Sequence, residues 1–190
     1  TLVFSEDMGK FTISQKPLTD AMVATITDQT YTGKEIKPTV TVTDGEKTLT
    51  ADDYTVTYES NTNAGTATAK ITGKGNYTDE VSKTFTIDPR ALENDMIAAI
   101  AAQVYTGKAI TPEPEVKYGE IKLEKGTDYT VSYASNTAVG TATVTVTAVA
   151  NGNYTGSATA NFTIGRADQA LGKTDMSATY GETFEVTPIT

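Results

Sequence analysis

The chain has 190 residues, a net charge of −9, and neither cysteine nor histidine. The two absences exclude disulfides, thiolate metal sites and imidazole bases, and with them most hydrolase and redox chemistry. The acidic balance disfavours a nucleic-acid partner, and no run of about 20 apolar residues predicts membrane insertion in this segment. We therefore assign no catalytic, cofactor-binding or metal-binding residue from the sequence.

An ordered series of short motifs occurs twice along the chain. The offset between copies is 74 residues from Tyr31 to Tyr105 and 77 residues from Gly75 to Gly152. The paired motifs are Tyr31-Thr32-Gly33-Lys34 with Tyr105-Thr106-Gly107-Lys108, Asp53-Tyr54-Thr55-Val56 with Asp128-Tyr129-Thr130-Val131, Gly65-Thr66-Ala67-Thr68 with Gly140-Thr141-Ala142-Thr143, and Gly75-Asn76-Tyr77 with Gly152-Asn153-Tyr154. A period of this size indicates a small domain rather than one turn of a solenoid.

The repeat predicts two complete units and two partial ones. Residues 15–88 form what we call the first repeat, and residues 89–166 form the second repeat. Residues 1–14 are predicted as the last strand of a preceding repeat, because Phe11-Thr12-Ile13 matches the endings at Phe85 and Phe162. Residues 167–190 are predicted as the opening strands of an incomplete third repeat.

Within the first repeat, short segments of alternating polarity are separated by turn signals. Residues 40–43 alternate and stop at Asp44-Gly45, a dipeptide typical of hairpin turns. Residues 54–58 alternate again, and Ala67, Ala69 and Ile71 share one face of the next strand. The second repeat keeps this register. Six or seven such strands in about 75 residues predict an all-β fold of small two-sheet sandwiches.

One segment resembles a helix instead. Residues 92–103 are rich in strong helix formers, whereas their counterpart, residues 22–29, alternates and is rich in β-branched residues. Since repeated units should share a fold, we predict a strand over residues 95–101. The connections Asp88-Pro89-Arg90 and Gly165-Arg166-Ala167 are too short to be flexible tethers, so consecutive repeats are expected to stack as a semi-rigid rod.

Carboxylates are the remaining candidates for acid–base chemistry. Asp52 and Asp53 are adjacent, but neighbours on a strand point to opposite faces, and an Asp at a turn usually binds the local backbone. A calcium site built from Asp residues at the junction between repeats stays open as an alternative, although no EF-hand loop is present.

The lysines of the repeated motif offer a second chemistry. Lys34 or Lys108 could form an intramolecular isopeptide crosslink with Asn76 or Asn153 if the lysine were buried beside the amide and an acidic group. A lysine beside a glycine turn is more commonly solvated. Sequence alone does not decide whether such a crosslink forms.

Two surface features bear on ligand binding. Exposure of Tyr77, Tyr118 or Tyr154 would favour a glycan-binding module, because glycan sites on sandwiches present exposed aromatic rings. The outward threonines of one strand could form a regular array, and they are Thr141, Thr143, Thr145 and Thr147. A small twisted sheet is a poor platform for such an array.

The motif series resembles the bacterial Ig-like domains found in tandem in large cell-surface proteins. The resemblance spans about 150 of the 190 residues, from Tyr31-Thr32-Gly33-Lys34 to the Phe-Thr-Ile endings. It implies tandem small Ig-like β-sandwich domains at the bacterial cell surface. The implied function is non-catalytic: a stalk or spacer with weak multivalent adhesion. Neighbouring repeats of the same chain are the implied partners. The alternative is a module that binds a host glycan or an extracellular-matrix protein.

Overall fold

The computed structural model describes residues 12–168 and 180–181, and nearly all of its regular structure is β-strand. The first repeat contains β1 (Lys16–Pro17), β2 (Gln29–Thr30), β3 (Thr43–Asp44), β4 (Lys47–Thr48), β5 (Tyr54–Glu59), β6 (Gly65–Gly73), β7 (Tyr77–Thr78) and β8 (Glu80–Asp88). The second contains β9 (Arg90–Ala91), β10 (Gln103–Val104), β11 (Lys117–Tyr118), β12 (Ile121–Lys122), β13 (Tyr129–Ala134), β14 (Gly140–Ala148), β15 (Tyr154–Thr155) and β16 (Ser157–Gly165). Three-residue 3₁₀ turns lie at Asp20–Met22 and Asn94–Met96. The predicted all-β class is confirmed.

Each repeat is built on one four-stranded sheet. The order is β2-β8-β6-β5 in the first repeat and β10-β16-β14-β13 in the second. The three long strands of each sheet are antiparallel. The short edge strand joins in parallel, with Gln29 opposite Ile87 in one sheet and Gln103 opposite Ile164 in the other. Short two-stranded pairs, β1 with β7 and β3 with β4, complete the first repeat, and the second has equivalents.

The core lies on the inner face of these sheets, as the alternation predicts. Ala67, Ala69 and Ile71 of β6 have no exposed surface, and Val42 and Leu49 belong to the same buried cluster. In the second repeat the fully buried residues of β14 are Ala142, Val144 and Val146. Buried and exposed side chains thus alternate along the long strands, so one face of each sheet lies against the core and the Thr-rich face lies in solvent.

Tyrosine hydroxyls join the long strands to the irregular segments that cover them. Tyr54 donates a hydrogen bond to the Val40 carbonyl at 3.0 Å, and Tyr58 donates one to the Pro38 carbonyl. Tyr133 repeats the second contact with the Pro112 carbonyl at 2.6 Å. These bonds satisfy backbone carbonyls in segments that lack a regular sheet partner, while the rings pack inside.

The strand predicted over residues 95–101 is wrong. Asn94–Met96 form a 3₁₀ turn, only Ile97 makes a bridge, to Val116, and residues 98–101 belong to no strand. The N–H groups of Met96 and Ile97 turn back to the carbonyls of Glu93 and Asn94, so the chain is coiled over Asn94–Met96. It is extended again at Ile97, and the Ala98 N–H donates to the Glu115 carbonyl, but the pairing ends there. The counterpart segment has the same form, with a 3₁₀ turn at Asp20–Met22, so the expected similarity between the copies holds.

Two further expectations need adjustment. Asp44 pairs with Lys47, so the hairpin turn consists of Gly45 and Glu46, one residue later than Asp44-Gly45.

Of the segments predicted as flanking repeats, residues 1–11, 169–179 and 182–190 lie outside the described residues. Residues 12–14 and 167–168 are described and form no strand. The flanking repeats remain predictions.

Candidate functional site

The adjacent aspartates have a structural role at a turn. Asp53 is 9% exposed, and its Oδ2 accepts a hydrogen bond from the Thr50 N–H at 3.0 Å. This backbone bond, with Lys47 nearby, lowers the pKa of Asp53. Asp128 accepts the Glu124 N–H in the same way at 2.8 Å. Asp52 is exposed. The expectation that an Asp at this turn binds the local backbone is confirmed for Asp53 and Asp128.

The lysines considered for a crosslink are exposed. Lys34 and Lys108 each follow a glycine with φ of +76°, and neither side chain lies in the core. The Asn153 amide has other partners, because Ala64 N–H donates to Asn153 Oδ1 at 2.8 Å. An isopeptide bond requires a buried lysine beside the amide, and neither Lys34 nor Lys108 is buried.

The aromatic residues that would favour glycan binding are largely covered. Tyr77 is 6% exposed and Tyr154 is 3% exposed, while Tyr118 is half-buried under Arg90. The outward face of β14 carries the four threonines, and Thr143 Oγ1 donates to Asn161 Oδ1 of the neighbouring strand at 2.9 Å. The Ser, Thr and Asn side chains of this face therefore bond among themselves in part, and no aromatic ring of β14 or β16 points outward there.

The feature with the most specific geometry is the contact between the two repeats, which we call the joint. The first repeat contributes the Tyr-Thr-Gly-Lys turn and the loop before β6, and the second contributes β9, the β11–β12 hairpin and the Asn-Tyr loop before β15. The joint residues are Tyr31, Gly33, Asn63 and Ala64 on the first repeat, and Arg90, Tyr118, Ile121, Asn153 and Tyr154 on the second.

An aromatic pair forms the centre of the joint. The rings of Tyr31 and Tyr154 meet edge to face, with centroids 5.4 Å apart and an interplanar angle of 80°. Both rings are buried and belong to one hydrophobic cluster that runs through both repeats. Burial, followed by the proximity of Tyr31, raises the pKa of Tyr154 to about 12. Tyr154 Oη is buried with no hydrogen-bond partner among the described residues.

Arg90 fastens the connection between the repeats. The Tyr31 N–H donates to the Asp88 carbonyl at 2.9 Å, which holds the end of β8 against the Tyr-Thr-Gly-Lys turn. Two residues later, Arg90 Nε donates to the Tyr31 carbonyl at 2.9 Å. The Arg90 guanidinium also lies 4.2 Å from the centre of the Tyr118 ring, within cation–π range. A single side chain thus contacts both repeats.

Asn153 supplies directional hydrogen bonds across the joint. Its Oδ1 accepts the Ala64 N–H at 2.8 Å, and its Nδ2 donates to Asn63 Oδ1 at 3.2 Å. One side chain therefore contributes an acceptor and a donor to the same loop of the other repeat. Such paired bonds fix the orientation of two surfaces, whereas apolar contact alone does not.

Gly33 makes room for the second repeat. A Cβ atom at this position would collide with Ile121 Cδ1, so the glycine allows both the turn, with φ of +76°, and the close approach of the hairpin. The sequence predicts the turn. It does not show that another repeat closes over it, because Ile121 is about 90 positions away along the chain.

The described part of the chain offers neither a metal-binding cluster nor a membrane-spanning helix. Across residues 12–168 and 180–181, no three His, Cys, Asp or Glu side chains are grouped so that they could hold a metal ion. The side-chain hydrogen bonds described across the joint come from the Asn153 amide and the Arg90 guanidinium. None of the described helices has the length and apolar character needed to cross a membrane.

Comparison with known proteins adds no assignment. No protein-family model matches the chain, and no curated protein matches its sequence.

Proposed function

We propose that this chain is a non-catalytic segment of a bacterial cell-surface protein, where it acts as a stalk or spacer and contributes weak multivalent adhesion. The observation that carries the proposal is the joint. Two repeats connected by a short link share a buried aromatic pair, an arginine bridge and a two-bond asparagine contact. Contacts of this kind resist bending, and resistance to bending is what a spacer needs.

A further observation supports a non-catalytic role. The lysines and carboxylates with shifted pKa values belong to ion pairs or turns, such as Lys16 with Asp44 at 2.6 Å and Lys125 with Glu113 at 2.8 Å. These shifts move the lysine pKa values up and the carboxylate pKa values down, whereas a general acid or base needs a pKa moved toward neutrality. The bacterial cell-surface location rests on the resemblance of the motif series.

The stiffness of the joint is measurable by the distance between spin labels. Because the chain holds no cysteine, Thr57→Cys and Ser132→Cys place one unique label on an exposed position of each repeat. We expect a narrow distance distribution that broadens when Tyr31→Ala and Asn153→Ala are added. A broad distribution in the chain with an intact joint would contradict a stiff spacer.

The location and the binding alternative need their own assays. Antibody raised against the chain should label intact producing cells, and labelling only after lysis would contradict a surface stalk. The purified chain, displayed in many copies, should show at most weak binding to arrays of glycans and matrix proteins. Tight, saturable binding by a single copy would favour the recognition module instead.

A further inference from the structure

The second repeat carries an uncovered copy of the surface that receives Tyr154 in the joint. Tyr105, the counterpart of Tyr31, is 41% exposed, whereas Tyr31 is 8% exposed. Val104 and Val139 beside it are 59% and 48% exposed. These are among the few large apolar side chains exposed in the described residues, and they gather at one place. Val139 precedes β14, whereas Asn153 and Tyr154 follow β14. The surface around Tyr105 and the surface that docks on the first repeat therefore lie at opposite ends of the second repeat.

We propose that this surface, which we call the distal surface and which consists of Val104, Tyr105, Gly107 and Val139, binds a further repeat of the same kind. The occupant is joined to the chain after Gly165 and docks through the surface that carries Asn153 and Tyr154 in the second repeat. The inference rests on the proposed stalk function, because it extends the joint to the next repeat.

The path of the chain favours an occupant in the same chain. The Tyr105 N–H donates to the Gly165 carbonyl at 2.9 Å, as the Tyr31 N–H donates to the Asp88 carbonyl at 2.9 Å. The chain therefore leaves β16 at the edge of the distal surface, just as it leaves β8 at the edge of the joint. A repeat attached there has a high effective concentration at the surface, which a separate molecule lacks.

The space at the distal surface also matches the joint. Gly107 has the same φ of +76° as Gly33. Among the described residues, a Cβ atom at Gly107 would meet only Tyr105 Oη at 4.0 Å, whereas at Gly33 it would meet Ile121. No described side chain therefore takes the place that Ile121 holds beside Gly33, and an apolar side chain of the next repeat fits there.

Sequence differences between the two surfaces specify the chemistry of the occupant. Val104 replaces Thr30 and Val139 replaces Ala64, so the distal surface is more apolar than its counterpart. Ala138 replaces Asn63, which removes the acceptor that Asn153 Nδ2 uses in the joint. Val139 has a backbone N–H and occupies the place of Ala64 in the motif series. An incoming asparagine thus keeps one of two bonds, and apolar contact makes a larger contribution.

The test uses the full chain with residues 89–165 duplicated directly after Gly165, so that a known repeat follows the distal surface. The added copy carries Tyr105→Phe, so that nitration at this position of the motif can come only from the original Tyr105. Tyrosine nitration is then read by peptide mass spectrometry. We expect the original Tyr105 to react about fivefold less than in the native chain, because the exposure should fall from the 41% of Tyr105 to the 8% of Tyr31.

Two variants of the duplicated chain sharpen the result. Val139→Asp in the original copy places a carboxylate in the contact and should restore the reactivity of Tyr105, because an unpaired charge is costly to bury. Val139→Ala gives the residue found at the joint and should keep Tyr105 protected. Tyr31 reports in parallel whether the first two repeats still fold and dock.

The outcomes separate the two proposals. If the original Tyr105 reacts as in the native chain while Tyr31 stays protected, the distal surface does not bind a repeat, and the stalk proposal stands. If Tyr31 also reacts freely in the native chain, the joint itself is wrong and both proposals fail. A fall in Tyr105 reactivity of the native chain with rising protein concentration would assign the surface to a second copy and overturn the proposal.

Discussion

Replacing Tyr31 with alanine should destabilise the chain more than replacing Tyr105. The two tyrosines occupy the same place in the repeated motif, but Tyr31 is 8% exposed and Tyr105 is 41% exposed. The difference arises from the second repeat, which covers Tyr31 with the ring of Tyr154. Comparing the two variants therefore isolates the contribution of the joint from the contribution of the tyrosine to its own repeat.

The expected difference follows from the area and the ring contact. The exposed fractions of Tyr105 and Tyr31 differ by about one third. One third of the roughly 200 Å² that a tyrosine buries is about 65 Å², and burying that area contributes about 1.6 kcal/mol at about 25 cal/mol per Å². The edge-to-face pair adds about 0.5–1.5 kcal/mol. Tyr31→Ala should thus lower the free energy of unfolding by about 2–3 kcal/mol more than Tyr105→Ala.

Urea denaturation followed by circular dichroism measures this difference. Repeats in contact can unfold in separate steps, so the midpoint and slope of each transition should be compared rather than one global fit. Tyr31→Ala should also separate the transitions of the two repeats, because it weakens the coupling between them. Equal losses for the two variants, within about 0.5 kcal/mol, would refute the reasoning that the joint buries Tyr31.

Three further predictions concern the same contact. Asn153→Ala removes two hydrogen bonds across the joint, so it should lower the free energy of unfolding, measured by urea denaturation, by about 1–2 kcal/mol. Asn76→Ala removes no described side-chain bond and should lower it by less than about 0.5 kcal/mol. Gly33→Ala and Gly107→Ala both place alanine at φ of +76°, which costs about 1 kcal/mol. Only Gly33→Ala also displaces Ile121 Cδ1 of the second repeat, so its melting temperature should fall at least as far, and a larger fall for Gly107→Ala would contradict the contact. The pKa of Tyr154 is raised from 10.0 to about 12, so its neutral phenol is favoured in the folded state; the resulting stabilisation is complete below pH 10 and is lost as the pH rises toward 12. Across that window the native chain should lose more stability than Tyr154→Phe, and parallel pH profiles for the two would show that the phenol is not buried.

The sequence by itself determined the all-β class and the faces of the long strands. Period-2 alternation placed Ala67, Ala69 and Ile71 inside because a strand turns successive side chains to opposite faces, whatever lies around it. The turn at Gly33 was also local, since only glycine adopts that φ readily. Asp53 was predicted at its turn for the same reason, because its partner is three residues away.

Only the tertiary structure decided what depends on distant neighbours. Whether residues 95–101 pair as a strand depends on the segment beside them, and there the available partner supports one bridge at Ile97. The parallel edge strands could not be read from alternation, because the pattern is the same in either direction. Tyr31 and Tyr105 stand in the same motif, yet one is buried and the other exposed. Local sequence fixes which way a side chain points, and the repeat packed against it decides whether that side chain reaches water.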